Sequence, residues 1–274
     1  MDQNALSDRD YSMICDLLYK RSGISLGSTK KALVASRLYK RVQLHGFSSY
    51  GSYFEHLLSG AEQAELQTVV DLLTTNETYF FREPEHFEML SALAQAAPKQ
   101  NTFRVWSAAC SSGEEVYTIA MTLQELSRKA HCPQWEVRGS DLSTIVLEKA
   151  RAGLYSLDRT GGISPELMKR YFLKGCGPHE GKILVRQELR DKVDFAQINL
   201  ISPLPSFRPF DVIFLRNVMI YFEAPIKRKV VTQLMSALSP NGVLCVGLAE
   251  TLNGLVDGLV SIAPSVYRLS GPGK

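Results

Sequence analysis

Long hydrophobic runs, paired cysteines and, over one long stretch, acidic residues are missing from this sequence, and each absence narrows what the chain can be. The run "DVIFLRNVMIYF" is interrupted by Arg216 and Asn217 well short of bilayer length, so no membrane insertion is expected. The opening "MDQNALSDRD" is acidic and polar, unlike a secretion signal, and cytoplasmic residence is expected. The five cysteines, at positions 15, 110, 132, 176 and 245, form no CxxC pair and no His/Cys cluster at metal-ligand spacing. Their odd number suits a reducing compartment, and neither a metal nor a disulfide is expected. His45, His56, His86, His131 and His179 form no recognisable triad with the serines and read as structural or exposed.

Acidic residues are absent between Asp16 and Glu55, where Lys20, Arg21, Lys30, Lys31, Arg37, Lys40 and Arg41 supply seven positive charges. If residues 29–44 are helical, Lys30, Arg37 and Arg41 fall within roughly 40° of one another, beside an apolar stripe of Val34, Leu38 and Val42. A basic ridge of Lys30, Lys31, Arg37, Lys40 and Arg41 follows, without nearby counter-charges, and its expected partner is acidic. The ridge lacks the exposed aromatics on which single-stranded nucleic acid stacks, so no nucleic-acid partner is expected.

What is present divides the 274 residues, 45% apolar and 22% charged, into a small and a large domain. Residues 1–75 read as amphipathic helices, the first capped by Ser7. Residues 76–100 read as a linker and connecting helix, with Pro84 placed to start the helix. From 101 to 274 strands alternate with helices: "FRVWSA", a helix over 114–130, "WEVRGSD", "TIVLEKARAG", "FDVIFLRN", "PIKRKVVTQLMSAL", "GVLCVGLAE" and "SVYRLS". That rhythm predicts an α/β class, a Rossmann-like, doubly wound and mainly parallel sheet, behind an all-α N-terminal domain. The rhythm breaks after "SPELMKRYFLKG", where residues 173–198 read as a small inserted β-subdomain.

In such a sheet ligands lie at the carboxyl ends of the strands, here residues 108–115, 141, 199 and 216–221. The loop "ACSSGEE" holds one glycine, Gly113, where a dinucleotide fingerprint needs three, and no phosphate-cradling G-x-x-x-x-G-K-[ST] occurs. Glu114 and Glu115 would repel a pyrophosphate. S-adenosylmethionine, with an ammonium and a sulfonium against one carboxylate, suits acidic residues there. Asp141, 26 residues after Glu115, can accept from both ribose hydroxyls. Plainer roles stand beside these: Asp141 as a helix cap, and the two glutamates as favourable charges at a helix N-terminus.

The blocks "NETYFFREPEHF", "VWSAACSSGEEVYTIAM", "GSDLSTIVLEKARAGLY", "CGPHEG", "VRQEL" and "FLRNVMIYFE", in this order, resemble the CheR family of chemotaxis receptor methyltransferases, which are protein-glutamate O-methyltransferases. The resemblance runs over nearly the whole chain. It implies that Asn76, Thr78 and Arg82 reach the cofactor and the reaction centre from the linker. Glu115, with Glu114, would meet the methionine end of S-adenosylmethionine and Asp141 the ribose, while Asn199 and Leu200 would flank the adenine. Arg216, Asn217 and Tyr221 would border the substrate, Arg82 and Tyr221 serving catalysis and Arg216 and Asn217 also touching the cofactor. The sequence departs from the family pattern at Cys110 and Ser112, where Ala and Thr are expected, and at Val116, where Pro is usual; the glycine and the carboxylates remain.

The partner implied is the cytoplasmic helical domain of a methyl-accepting chemoreceptor, with a monomeric enzyme recruited to receptor arrays. The β insertion resembles the subdomain by which some family members grip a receptor's C-terminal peptide through strand addition, and the same use is expected here. Two other classes compete: a nucleic-acid methyltransferase, whose N/D-P-P-Y element is replaced here by "RNVMIYF", and a non-catalytic nucleotide-sensing module.

Overall fold

The computed structural model describes residues 5–60, 62–129, 131 and 133–270, so the expectations for Cys132 and for the helix end at position 130 lie outside the described residues. The chain divides into two compact units, one of residues 1–75 with 221–226, the other of residues 76–220 with 227–274.

The first unit holds α1 (Asp8–Ser22), α2 (Lys31–Leu44), α3 (Tyr50–Leu58) and α4 (Gln63–Leu73). Ser7 caps α1 by accepting from the Asp10 N–H at 3.1 Å, and Ser49 caps α3 by accepting from Ser52 at 3.2 Å. Val34, Leu38 and Val42 are the buried stripe of α2, and Tyr53, Phe54 and Leu57 of α3 and Val69 of α4 are buried with them. Ile24 forms an antiparallel bridge with Phe222, and the Ser25 N–H donates to the Tyr221 carbonyl at 2.9 Å, so a late segment of the chain completes this unit.

The basic ridge is rebuilt by these contacts. Lys30 lies in a 3-10 turn (Ser28–Lys30) ahead of α2, off the helical register expected for it. Lys31 pairs with Asp8 at 2.5 Å. Arg37 donates to the Leu72 and Thr74 carbonyls at 3.0 and 3.1 Å, covering the end of α4. Arg41 grips Glu65, whose side chain is 4% exposed, with its Nε 2.9 Å from Oε1. The counter-charges absent from the local sequence thus come from α1 and α4, and Arg37 and Arg41 serve this unit's own packing; Lys30 and Lys40 remain exposed.

The second unit holds α5 (Glu85–Ala96), β1 (Phe103–Ser107), α6 (Glu114–Arg128), β2 (Trp135–Asp141), α7 (Thr144–Ala152), β3 (Leu154–Ser156), α8 (Pro165–Tyr171), β4 (Phe172–Lys174), β5 (Lys182–Val185), α9 (Gln187–Arg190), β6 (Val193–Gln197) and β7 (Phe210–Leu215). After these come α10 (Ala224–Ser236), whose first three residues belong to the first unit, β8 (Leu238–Val246), β9 (Leu259–Ala263) and β10 (Val266–Leu269). The main sheet has the order β6-β2-β1-β7-β8-β10-β9, parallel from β6 to β8 and antiparallel at β10 and β9. Its central strands are apolar on both faces, as a sheet covered on two sides requires: Val105, Val212, Ile213 and Phe214 are at most 1% exposed. Trp106 is fully buried, its indole N–H satisfied by Ser140 Oγ at 2.9 Å.

The inserted sheet, order β3-β5-β4, is antiparallel and spans 154–185 rather than 173–198. Residues 193–197 belong to the main sheet, where β6 pairs parallel to β2 with Val137 opposite Val193 and Asp141 opposite Gln197. A short alternating strand reads the same in either place; only the pairing separates them. Within the expected β-subdomain, residues 187–190 form a single helical turn, and β9 adds an antiparallel edge strand to the main sheet. No helix among the described residues is long and apolar enough to cross a membrane.

Candidate active site

The chain enters the main sheet at β1, moves outward to β2 and β6, then returns to the other flank of β1 with β7. The strand order therefore reverses between β1 and β7, and their carboxyl ends are where an open α/β sheet receives ligands. The backbone is unusual at this place. Of the five non-glycine residues with positive φ among the described residues, four cluster here: Phe81 (56°), Glu83 (54°), Ser111 (49°) and Asn217 (58°). Each such conformation costs on the order of 1 kcal/mol, and persists because the surroundings hold it. Gly113, with φ 93°, has no room for a side chain: an added Cβ would stand 2.8 Å from the Ala150 Cβ. The glycine thereby lets the loop after β1 lie directly against α7 at the start of α6.

Arg216, just beyond β7, is the centre of the charged groups. Its side chain is 2% exposed, and it pairs with Glu83 at 3.0 Å and with Glu115 at 2.8 Å while also donating to the Arg82 carbonyl. Burial works against the guanidinium charge, but the two carboxylates outweigh it and raise the pKa further. Glu115 also accepts from Ser107 Oγ at 2.7 Å. Glu83 accepts from the Leu248 N–H at 3.2 Å and lies 3.3 Å from Asn217 Nδ2. Burial tends to raise the Glu83 carboxyl, yet Arg216 and these hydrogen bonds prevail and leave it below its ordinary value. Glu250, after β8, accepts from the backbone N–H groups of Asn217 (2.8 Å), Gly247 (2.7 Å) and Ile220 (3.3 Å) and so fixes the Asn217 turn.

At the end of β2, Asp141 accepts from Ser111 N at 2.8 Å and Ser143 N at 3.0 Å. The segment from Asn76 runs along the start of α6: the Asn76 carbonyl accepts from Ser111 Oγ at 2.8 Å, and the Phe81 N–H donates to Thr118 Oγ1 at 3.2 Å. Thr78 is buried. Arg82 donates to the Glu77 carbonyl at 3.2 Å and lies over the Tyr79 ring at 5.6 Å. Asn199 and Leu200 follow β6; Asn199 Oδ1 accepts from Ile201 N at 3.2 Å and Leu200 is buried.

Arg82, Arg216 and Asn217 are thus joined through Glu83, Glu115 is joined to them through Arg216, and Asn76 and Asp141 are joined through Ser111. Glu114 is not part of the Arg216 set. One residue along a helix turns the side chain by about 100°, and its carboxylate, 1% exposed, accepts from Ser112 Oγ at 2.7 Å and lies 3.7 Å from Arg159. Tyr221 is counted with the helical unit. Tyr79 is 49% exposed, while Phe80 is buried and packs edge-on against Tyr155 and Phe172. Glu83, Ser111 and Glu250 were not singled out. Glu83 lies inside "NETYFFREPEHF" and Glu250 closes "GVLCVGLAE", but no local side-chain pattern marks the partners of either.

Residues 76–266 match the CheR methyltransferase, SAM binding domain, and residues 9–74 match the CheR methyltransferase, all-alpha domain. The chemotaxis protein methyltransferase of Salmonella typhimurium is 42% identical over 269 residues, which are 97% of this chain and 92% of the relative. That of Escherichia coli is 41% identical over 269 residues with the same coverage. Chemotaxis protein methyltransferase 2 of Pseudomonas aeruginosa is 40% identical over 260 residues, 94% of this chain and 92% of the relative. With both of its parts matched in order and the strand-end site built from the matched region, the chain belongs to the CheR family of S-adenosylmethionine-binding methyltransferases.

Proposed function

We propose that this methyltransferase moves the methyl group of S-adenosylmethionine to the side-chain carboxylates of particular glutamates on the cytoplasmic helices of a chemoreceptor. The products are glutamate methyl esters and S-adenosylhomocysteine, in the service of chemotactic adaptation. The observation that carries this reading is the mixed-charge set of Glu83, Arg216 and Glu115 beside Asp141 at the ends of β1, β2 and β7. A pyrophosphate meets three carboxylates there against one guanidinium and is disfavoured. A zwitterionic amino acid fits, with carboxylates for its ammonium and Arg216 for its carboxylate, and Asp141, held at the strand end by two backbone N–H groups, suits a ribose.

S-adenosylmethionine supplies an electrophilic methyl carbon on a sulfonium, and the protein's own residues do the rest. Glu115 and Arg216 hold the amino-acid end, and Asn76, Thr78, Asn199 and Leu200 border the nucleoside. Arg82 steers the substrate carboxylate, and Tyr221 orients it by a hydrogen bond. No general base is required, because a glutamate of ordinary pKa near 4.3 is already ionised at pH 7. Alignment of nucleophile, methyl carbon and leaving sulfur contributes up to about 7–11 kcal/mol in favourable intramolecular systems. Closure against water favours the reaction further, since the opposite charges of the reactants vanish in the products.

The acidic receptor surface meets Lys30 and Lys40, the exposed members of the basic face. The receptor's C-terminal peptide adds to an outer edge of the small sheet, where β3 and β4 each have one unpaired side. The test is transfer of a tritiated methyl group to receptor-bearing membranes and to RNA in parallel. Base-labile label on the receptor, released as methanol, is the expected result; label in RNA, or none in either, overturns it.

A further inference from the structure

We infer that Arg159 is a positioning residue for methyl transfer, holding the Asn76–Arg82 segment against the start of α6 from the turn that leaves the small sheet. The inference rests on reading these strand ends as the S-adenosylmethionine site. Arg159 belongs to a 3-10 turn, Leu157–Thr160, directly after β3. Its Nη2 donates to the Thr78 carbonyl at 2.7 Å and lies 3.7 Å from Glu114 Oε1 and 3.7 Å from Glu77 Oε1. Three parts of the chain, the segment, the first turn of α6 and the small sheet, therefore meet at one guanidinium.

Two neighbouring contacts give this arrangement direction. Gly162 comes so close to the segment that an added Cβ would stand 2.4 Å from the Phe80 carbonyl oxygen, a distance no real side chain tolerates. Tyr155, on β3, donates its hydroxyl to the Ser112 carbonyl at 2.7 Å. The small sheet thus touches both walls of the site, the Gly113 loop through Tyr155 and the Asn76–Arg82 segment through Arg159. Glu114 adds a constraint of its own. Its burial raises the carboxyl pKa above the ordinary value, opposed by the Ser112 hydrogen bond and by Arg159.

Arg159 itself is 42% exposed, so water screens its ion pairs and their strength is small. What it provides is geometry: one nitrogen, Nη2, hydrogen-bonded to the Thr78 carbonyl and facing the Glu77 and Glu114 carboxylates. The strained residues Phe81 and Glu83 follow Thr78 closely, so a freed Thr78 lets this stretch spread over other conformations. A ligand that needs one of those conformations then binds more weakly in proportion to the fraction left competent. Turnover with the site filled is preserved.

The test compares wild type, Arg159→Ala, Arg159→Lys and the double variant Arg159→Ala/Glu114→Gln. It uses calorimetric binding of S-adenosylhomocysteine, methylation kinetics on receptor membranes and the thermal midpoint without ligand. Arg159→Ala is expected to weaken S-adenosylhomocysteine binding and raise the KM for S-adenosylmethionine about tenfold, with kcat within about threefold of wild type. Arg159→Lys, which can still reach the Thr78 carbonyl, recovers most of the affinity. The double variant, relieved of an unpaired buried charge, recovers thermal midpoint without recovering affinity. Unchanged affinity in Arg159→Ala, or a lowered midpoint with KM unmoved, overturns the inference while leaving the methyltransferase reading intact. A wild-type chain that takes up no S-adenosylhomocysteine sinks both.

Discussion

At the scale of single residues, Arg82 and His86 stand four positions apart in sequence and are expected to respond to different tests. Arg82 is partly exposed and spends its donors on a neighbouring carbonyl and its face on Tyr79, which leaves it able to turn towards a substrate carboxylate. Arg82→Ala is expected to lower kcat on receptor membranes at least about tenfold while calorimetric affinity for S-adenosylhomocysteine moves less than about threefold. Equal losses would place Arg82 on the cofactor instead. His86 is 2% exposed, both ring nitrogens lack a hydrogen-bond partner, and Glu83 is 3.6 Å away. Burial, with the Arg216 charge, pushes its pKa down to about 4, from an ordinary value near 6.5. The unfolded chain therefore binds more protons than the folded one between those values. The stability held by the neutral ring is full above about pH 6.5 and lost as pH falls towards 4, by up to about 3 kcal/mol. His86→Leu is expected to flatten that acid limb in urea unfolding measured from pH 7 to 4; an unaltered limb would show that other groups set it.

At the scale of elements, the helical unit depends on a pair that joins α2 to α4. Glu65 is held below its ordinary pKa because Arg41 and the Tyr53 hydroxyl outweigh the burial that would raise it. Arg41→Met removes the cation and leaves a buried carboxylate, and is expected to destabilise the protein by about 3 kcal/mol in urea unfolding. Lys40→Glu, on the exposed face of the same helix, is expected to shift stability by less than about 0.5 kcal/mol. The comparison also marks what the sequence could tell. Gly113 followed by two glutamates after an apolar strand was legible as a strand-turn-helix site, because the turn and the charges are neighbours in the chain. The Arg41–Glu65 pair was not, since its partners are 24 residues apart and nothing local ties them. The different surroundings of Glu114 and Glu115 depend on which way α6 faces, and the place of β6 depends on pairing with β2; both are decided by tertiary contacts. Glu250 escaped notice because its partners are backbone N–H groups, which no side-chain pattern announces.

At the scale of the whole molecule, the proposed function assigns receptor recognition to exposed charges, Lys30 and Lys40, and cofactor binding to buried ones, Glu115 and Arg216. Receptor methylation is therefore expected to slow several-fold between low and physiological salt, while calorimetric S-adenosylhomocysteine affinity stays nearly constant, since screening reaches exposed charges far more than buried ones. Reversal of Lys30 and Lys40 to Glu is expected to reproduce the slow limit at low salt. Parallel salt dependence of both measurements would refute the division.

The bridge from Ile24 to Phe222, with Ser25 bonded to Tyr221, bears on how the molecule is made. On the ribosome the first helices emerge early, but the short piece that closes them is synthesised only after most of the sequence has appeared. At roughly 5–20 residues per second the wait lasts on the order of ten seconds. Until then the nascent amino-terminal part stays unfinished, and a fragment cut at residue 75 is expected to be born without its clasp.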